Sequence, residues 1–328
     1  MFQQYVDRLA QVQRFDRVVS SRDIQVGEVS TPGGGTRLAV QVPSGEALTL
    51  EPKAQIQLLG QWQIPPDHFS RLPRQLQAAE LSHFTRAQPK GLTIRAVTEV
   101  SDRYPAARAV LSDRYTPFDN TDVLQVVTQY LEGFEIQRPD VHRDEMVIVA
   151  TRPEVHDVST RRLGDIVKTG LMIRNSEVGE GCAAVEFILW RLRCLNGLIC
   201  PQAEVSVRQR HIWVNRHAFQ VQLKNATSNV LEIGEGMVRQ LRASHDLLLP
   251  NLDPDDGKLQ AEVAKVLRRE GIWTRQFQQV ATEALAGQEE ASVFGLIQFI
   301  TGAYAKNQGL VERSARERAA GKLMELAS

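Results

Sequence analysis

The chain has 328 residues, 42% of them hydrophobic, enough for one large domain or two ordinary ones and too apolar for a disordered polymer. Lys plus Arg and Asp plus Glu both number 39, so the formal net charge is zero; a uniformly basic nucleic-acid coat is excluded, and such a partner would need a local patch. Three cysteines, Cys182, Cys194 and Cys200, are too sparse for a disulfide framework and fit a reducing compartment. The segment Met1–Arg8 lacks the basic-then-apolar order of a signal peptide, and no stretch approaches the roughly 20 apolar residues that span a bilayer. The expectation is a cytoplasmic protein with no membrane partner.

Residues 1–50 read as a short helix followed by β structure. Arg37–Val42 alternates between turn-forming Pro32-Gly33-Gly34-Gly35 and Pro43-Ser44-Gly45, which puts Leu38, Val40 and Val42 on one face of an edge strand or arm. Residues 53–88 read as two or three short helices, with Pro65-Pro66 opening one of them. Gln88-Pro89-Lys90-Gly91 marks a boundary, giving an N-terminal β arm with short helices over 1–91, a central α+β domain over 92–226 and a C-terminal helical region over 227–328.

Ser101-Asp102-Arg103-Tyr104-Pro105 recurs as Ser112-Asp113-Arg114-Tyr115-Thr116-Pro117, two turns around the strand Arg108–Leu111. Asp119-Asn120-Thr121-Asp122 is a strong helix start, and Val123, Leu124, Val127, Tyr130 and Leu131 continue at helical spacing to Gly133. Phe134–Ile136, Met146–Ala150 and Asp165–Ile173 read as strands. The run Asn175–Gly181 then reads as a glycine-bearing turn, fixed by Asn175, Ser176 and Glu177, or as a ligand loop. Val185, Ile188, Leu189, Leu192 and Leu195 fit a helix ending at Asn196-Gly197. The fold class is therefore α+β: a central, mostly antiparallel sheet with a β-β-β-α kernel, flanked by N-terminal helices and a C-terminal helical region. Ala203–Val214 and Ala218–Leu223 read as a last hairpin. Beyond 227 the stripes Leu259/Val263/Val266/Leu267, Trp273/Phe277/Val280 and Val293/Leu296/Ile297/Ile300 are core, and residues 311–326 form a charged final helix.

Chemistry-bearing motifs are weak. Gly33-Gly34-Gly35 is no phosphate loop, and Gly179-x-Gly181 lacks the third glycine of a dinucleotide fingerprint. The spacings of Cys194/Cys200 and His211/His217 do not suit zinc, so neither metal nor cofactor is expected. Glu177 with Glu180, and Asp113 with Asp119, are acid pairs that two-metal hydrolysis could use if they converged. Basic groups interleaved with aromatics are more suggestive: Trp190-Arg191-Leu192-Arg193 and Arg208-Gln209-Arg210-His211-Ile212-Trp213, with Arg161-Arg162 and Lys168 upstream. Such groups track phosphates while aromatics stack on unpaired bases.

Leu111–Tyr115 followed by Asp119-Asn120, the run Ile173–Gly181, Leu192–Leu198, Phe294-Gly295-x5-Thr301 and Ala320-Gly321-Lys322 resemble a family of unknown function whose members are labelled phage- or plasmid-like. The resemblance covers about 95–325 and implies a setting on mobile DNA, with no catalytic residues to carry over. The β-β-β-α order is loosely similar to Rad52-like annealing proteins. The leading expectation is a nucleic-acid-binding protein that binds or anneals single-stranded DNA in recombination. Arg114, Tyr115, Arg174, Arg191, Arg193, Arg208, Arg210 and Trp213 would form the contact surface. The alternatives are a metal-dependent nuclease using Glu177 and Glu180, or an interaction or assembly module whose C-terminal helices self-associate into a homo-oligomer.

Overall fold

The computed structural model describes residues 3–31, 34–98, 104–159, 165–192, 196–200, 207–209, 211, 215–287, 291–302 and 310–327. The fold is α+β, built on two mostly antiparallel sheets.

A helix, α1 (Gln3–Ala10), leads into β1 (Gln13–Ser20), β2 (Gln25–Ser30), β3 (Thr36–Gln41) and β4 (Ala47–Leu50). Three helices follow: α2 (Pro52–Gln61), α3 (Pro66–Ser70) and α4 (Arg74–Ala87). Pro52 and Pro66 sit at first helical positions, where a missing N–H costs nothing. Strands β5 (Gly91–Thr98) and β6 (Ala106–Ser112) then complete the first sheet, in the order β1-β5-β6-β4-β3-β2. Among the described residues of this sheet, only the β4–β6 pair is parallel. Leu38, Val40, Leu48, Ile94 and Val110 pack in its core against Leu58, Leu59, Phe69 and Leu81 of the helices.

Two expectations change here. Strand β3 is flanked by β2 and β4, so it is no edge. The division expected at residue 91 is displaced, because β5 and β6 belong to the first sheet and the chain leaves that sheet only after Ser112. Lys90-Gly91 looked like a linker because it bends the chain from α4 into β5; a turn within a domain and a turn between domains use the same residues.

Helix α5 (Asn120–Tyr130) starts as expected, with Asp119 and Asp122 forming a reciprocal capping box. A meander follows: β7 (Glu135–Val141), β8 (Glu145–Asp157), β9 (Ile166–Ser176), β10 (Ala183–Arg191) and β11 (Asn196–Cys200), hydrogen-bonded in chain order. Short β12 (Val207–Gln209) pairs with the first residues of β10, beside β11. The α+β class stands, but the helix expected after Gly181 is strand β10, so the β-β-β-α kernel is a five-stranded meander. All nine residues of β10 are buried. A strand covered on both faces is apolar at nearly every position, and such a run satisfies helical spacing by accident. Asn196-Gly197 does not end a helix but opens β11: a Cβ on Gly197 would lie 1.9 Å from Ile188 Cδ1, so a larger residue there would have to displace that side chain.

The expected hairpin at 203–223 is also replaced; residues 203–206 and 212–214 lie outside the described residues. Asn215, read as a turn residue, caps the 28-residue helix α6 (Arg216–Ala243) by accepting from Ala218 N at 3.0 Å. Helices α7 (Lys258–Arg269), α8 (Arg275–Ala286), α9 (Val293–Thr301) and α10 (Leu310–Met324) complete the C-terminal region. Phe219, Leu223, Val230 and Met237 of α6 join Ile148, Leu171, Ile173, Val185 and Leu189 in the largest core. On the opposite face Val147, Val149, Met172, Ile188, Trp190 and Ile199 form a smaller core.

Helix α10 closes this second face. Glu317 Oε1 accepts from Arg138 Nη1 of β7 at 3.1 Å and from Gly197 N of β11 at 3.2 Å. Those strands are the two edges of the meander, about 19 Å apart if five strands lay flat at ~4.8 Å spacing. One carboxylate oxygen meets both, so the sheet is curled and α10 seals its open side. No helix among the described residues is long and apolar enough to cross a membrane.

Candidate functional site

The run Asn175–Gly181 finishes β9 and turns toward β10. Gly179 takes φ +77°, a left-handed conformation that glycine adopts readily. Ser176 Oγ accepts from Glu180 N at 3.2 Å, across the turn. Asn175 donates to Phe118 O and Asn120 Oδ1, both at 2.9 Å, tying the strand end to α5.

Glu177 does something that local sequence did not announce. Its side chain is fully buried, and Oε2 lies 2.6 Å from Arg108 Nη1 and 3.1 Å from Arg14 Nε. Its other oxygen accepts from Asn120 N at 2.7 Å. Its main-chain oxygen accepts from Arg95 Nη1 at 2.8 Å and Tyr115 Oη at 3.1 Å. Arg14, Arg95 and Arg108 come from β1, β5 and β6 of the first sheet, so Glu177 joins the two sheets. Asp16 and Asp119 pair with Arg95, and Asp144 with Arg108. Burial works against the charge of Arg95 but is outweighed by Tyr115, Asp119 and Asp16, which hold its guanidinium above the usual arginine range. Burial opposes ionisation of Asp144 too, yet Arg143 and Arg108 hold its carboxyl below the ordinary range. Burial pushes the Tyr115 phenol up to about 12 against the pull of Arg95. The signal for this cluster was a single arginine inside each of two apolar strands, Ile94-Arg95-Ala96 and Ala107-Arg108-Ala109. A buried charge demands a partner, but sequence does not say which one.

Around the corner of the same turn lies a cleft of about 230 Å³. Glu145, Arg174, Ser176, Glu180 and Cys182 line one side, and Ser314 and Arg318 of α10 the other. Lys53 of α2 lies 2.7 Å from Glu180 and 3.6 Å from Glu145. Burial and a hydrogen bond with Glu180 push the Glu145 carboxyl up; burial acts the same way on Glu180, but Lys53 and Glu145 outweigh it and hold that carboxyl down. Lys53, Glu145, Cys182 and Arg318 were absent from the sequence reading of this site.

The expected phosphate-contact residues separate into groups. Arg191 is buried and bidentate to Asp165, at 2.8 Å from each oxygen, so it ties β10 to the α9 side and is not free to meet phosphate. Arg174 pairs with buried Glu186 at 2.6 Å. Lys168 pairs with Glu135 at 2.5 Å. Tyr115 is buried, its ring stacked on His211 at 5.3 Å, and presents no open face to a base. Trp190 is in the small core. Arg114 is exposed at its turn. Arg208 lies on β12, with its side chain outside the described residues; Arg103, Arg161, Arg162, Cys194, Arg193, Arg210 and Trp213 also fall outside them.

The fold nevertheless brings two of the predicted segments together. Thr116 N donates to His211 O at 2.7 Å beside the Tyr115–His211 stack, so the Arg114-Tyr115 turn abuts His211. His211 is buried with neither ring nitrogen hydrogen-bonded, and burial lowers its pKa to about 4, keeping the imidazole neutral. Arg216, exposed at the start of α6, pairs with Asp122 at 3.0 Å and holds its guanidinium over the Phe118 ring.

The acid pairs do not converge. Glu177 faces arginines in the seam, whereas Glu180 faces the cleft; Asp119 faces Arg95, and Asp113 is exposed. Histidines 211 and 217 are likewise apart in role, the first buried and the second exposed on α6. Among the described residues no group of three His, Cys, Asp or Glu could hold a metal ion.

Residues 107–320 match the model of a family described as a domain of unknown function, DUF932. No curated protein and no solved structure matches the chain.

Proposed function

The chain belongs to the DUF932 family, and on that premise we propose that it is a non-catalytic nucleic-acid-binding protein that engages single-stranded DNA through the surface where the Arg114 turn meets His211. The carrying observation is the Thr116–His211 hydrogen bond with its adjoining ring stack. It joins two basic segments nearly a hundred residues apart in sequence. Arg114 and Arg216 are exposed, Arg216 while paired with Asp122, and Arg208, Arg210 and Trp213 flank His211 in the sequence. Guanidinium groups suit phosphate, and an indole suits an unpaired base. Arg174, Arg191 and Tyr115 are withdrawn from this surface because each is already paired or covered. The resemblance to phage- and plasmid-like proteins favours a role on mobile DNA, in the binding or annealing of strands during recombination.

Fluorescence anisotropy with a labelled single-stranded oligonucleotide, titrated across salt, tests the reading. Binding should weaken with salt, with a log–log slope of about −0.7 for each phosphate neutralised. The double variant Arg208→Ala/Arg210→Ala should flatten that slope by up to about 1.4. If the wild-type protein fails to bind even at low salt, the reading is wrong.

A further inference from the structure

The cleft beside the Asn175–Gly181 turn has a charge imbalance at each end. At one end two carboxyl groups, Glu145 and Glu180, face a single ammonium, that of Lys53. At the other end two cations, Arg318 and Lys322, share a single carboxylate, Glu270. The first end is short of a cation and the second is short of an anion. Between them Arg174 keeps its Nη2 on Glu186, but its Nε is buried with no hydrogen-bond partner. A buried N–H without a partner costs stability, and an acceptor brought to it would recover that cost.

Strand register fixes the spacing. Glu145 is paired with Ser176, and Val147 with Arg174, so Glu145 and Arg174 are diagonal neighbours on one face of the sheet. Such neighbours are roughly 7–8 Å apart. Ser314 and Arg318, four residues apart, share the face of α10 that walls the cleft opposite. A ligand placed here touches β8, β9 and α10, with Lys53 of α2 behind the acid pair.

We propose that this cleft binds a small zwitterion of amino-acid size, its ammonium between Glu145 and Glu180 and its carboxylate between Arg174 Nε and Arg318. An incoming ammonium gives the two carboxyl groups the second cation that Lys53 alone does not supply. The carboxylate satisfies the orphaned Arg174 N–H and the remaining guanidinium donors of Arg318. The site is separate from the nucleic-acid surface around His211 and does not depend on it.

Isothermal titration calorimetry on the full chain tests the assignment, using the twenty amino acids, 5-aminopentanoate, and its one-headed analogues pentanoate and pentylamine. At least one two-headed compound should bind at millimolar concentration or below, and the one-headed analogues should bind at least tenfold more weakly, the order expected for losing one charge-assisted pair. Glu180→Gln and Arg318→Gln should each lower affinity by a similar factor while the thermal melt stays near wild type. Glu180 is 44% exposed, so Glu180→Gln carries the test even if Arg318→Gln folds poorly. The proposal fails if no two-headed compound binds, if pentanoate or pentylamine binds as well as 5-aminopentanoate, or if Glu180→Gln keeps wild-type affinity. Tighter binding of a deoxynucleoside monophosphate than of any amino acid would also overturn it.

Discussion

Glu177 and Glu180 stand three residues apart in one turn and live in opposite circumstances. Glu177 is fully buried, and both its oxygens are engaged by groups from other elements. Glu180 is 44% exposed, shares one lysine with another carboxyl, and borders open space. The difference lies in how completely the surroundings answer each charge. Where both carboxylate oxygens are bonded, as at Glu177, the arrangement is a clasp between two sheets, even though Arg14 Nη2 and Arg108 Nε and Nη2 beside it have no hydrogen-bond partner. Where charges are left over, as beside Glu180, the arrangement is suited to receive something. A short motif can serve both ends at once, which is why its residues cannot be assigned one common role.

The comparison is broken most forcefully at Glu177. Glu177→Gln leaves Arg14 and Arg108 with a neutral partner in a dry seam, and loss of one partner of a buried pair costs about 3–5 kcal/mol. Urea denaturation should show the midpoint falling accordingly; an unchanged midpoint would mean that the seam is hydrated and the clasp idle.

A pH series probes the same side of the turn. The imidazole of His211 is held neutral, with its pKa lowered by burial from 6.5 to about 4. A folded-state pKa below the unfolded one gives stability that is complete above about 6.5 and disappears as pH falls toward 4. At 1.36 kcal/mol per unit the loss is up to about 3 kcal/mol. His211→Phe should have a flatter stability profile between pH 7 and 4.5, measured by denaturation at each pH. If its profile parallels that of wild type, His211 is not the group responsible.

Gly179 tests the turn itself. A Cβ there meets Leu111 Cδ2 at 2.6 Å and the backbone sits at φ +77°, so Gly179→Ala should cost about 1–2 kcal/mol by thermal melting. The smallest effect belongs to the open side. Glu180→Gln should change stability by less than about 0.5 kcal/mol, because its ion pair is largely solvated. A large destabilisation would place Glu180 with Glu177 as a second member of the clasp.

Local chemistry made some of this legible from sequence. Asp119 and Asp122 announced α5 because a capping box is written within four residues, and the alternation of Leu38, Val40 and Val42 announced β3. Strand β10 was misread because burial on both faces erases the period that distinguishes strand from helix. Asn215 was misread because the same side-chain geometry serves a turn and a helix cap. The seam and the cleft were hidden for another reason: Arg14, Lys53, Arg108 and Arg318 are distant in sequence from the turn they surround, and nothing within a window of the chain links them. Arg191 was expected on the surface as a cation; its partner Asp165 lies 26 residues away and shows only in the folded sheet.

The position of α10 has a consequence for the order of assembly. Residues 310–324 are made after every strand they touch, yet Glu317 is what links the two edges of the curled meander. During synthesis the meander can pair strand by strand, because each strand follows its neighbour in the chain. Until α10 emerges, Arg138 on one edge and Gly197 on the other lack the carboxylate that joins them, so the meander's edges stay unlinked through the whole translation of α6 to α9. That interval is when it most needs a chaperone, and when a strand from another copy could take the place that α10 is meant to fill.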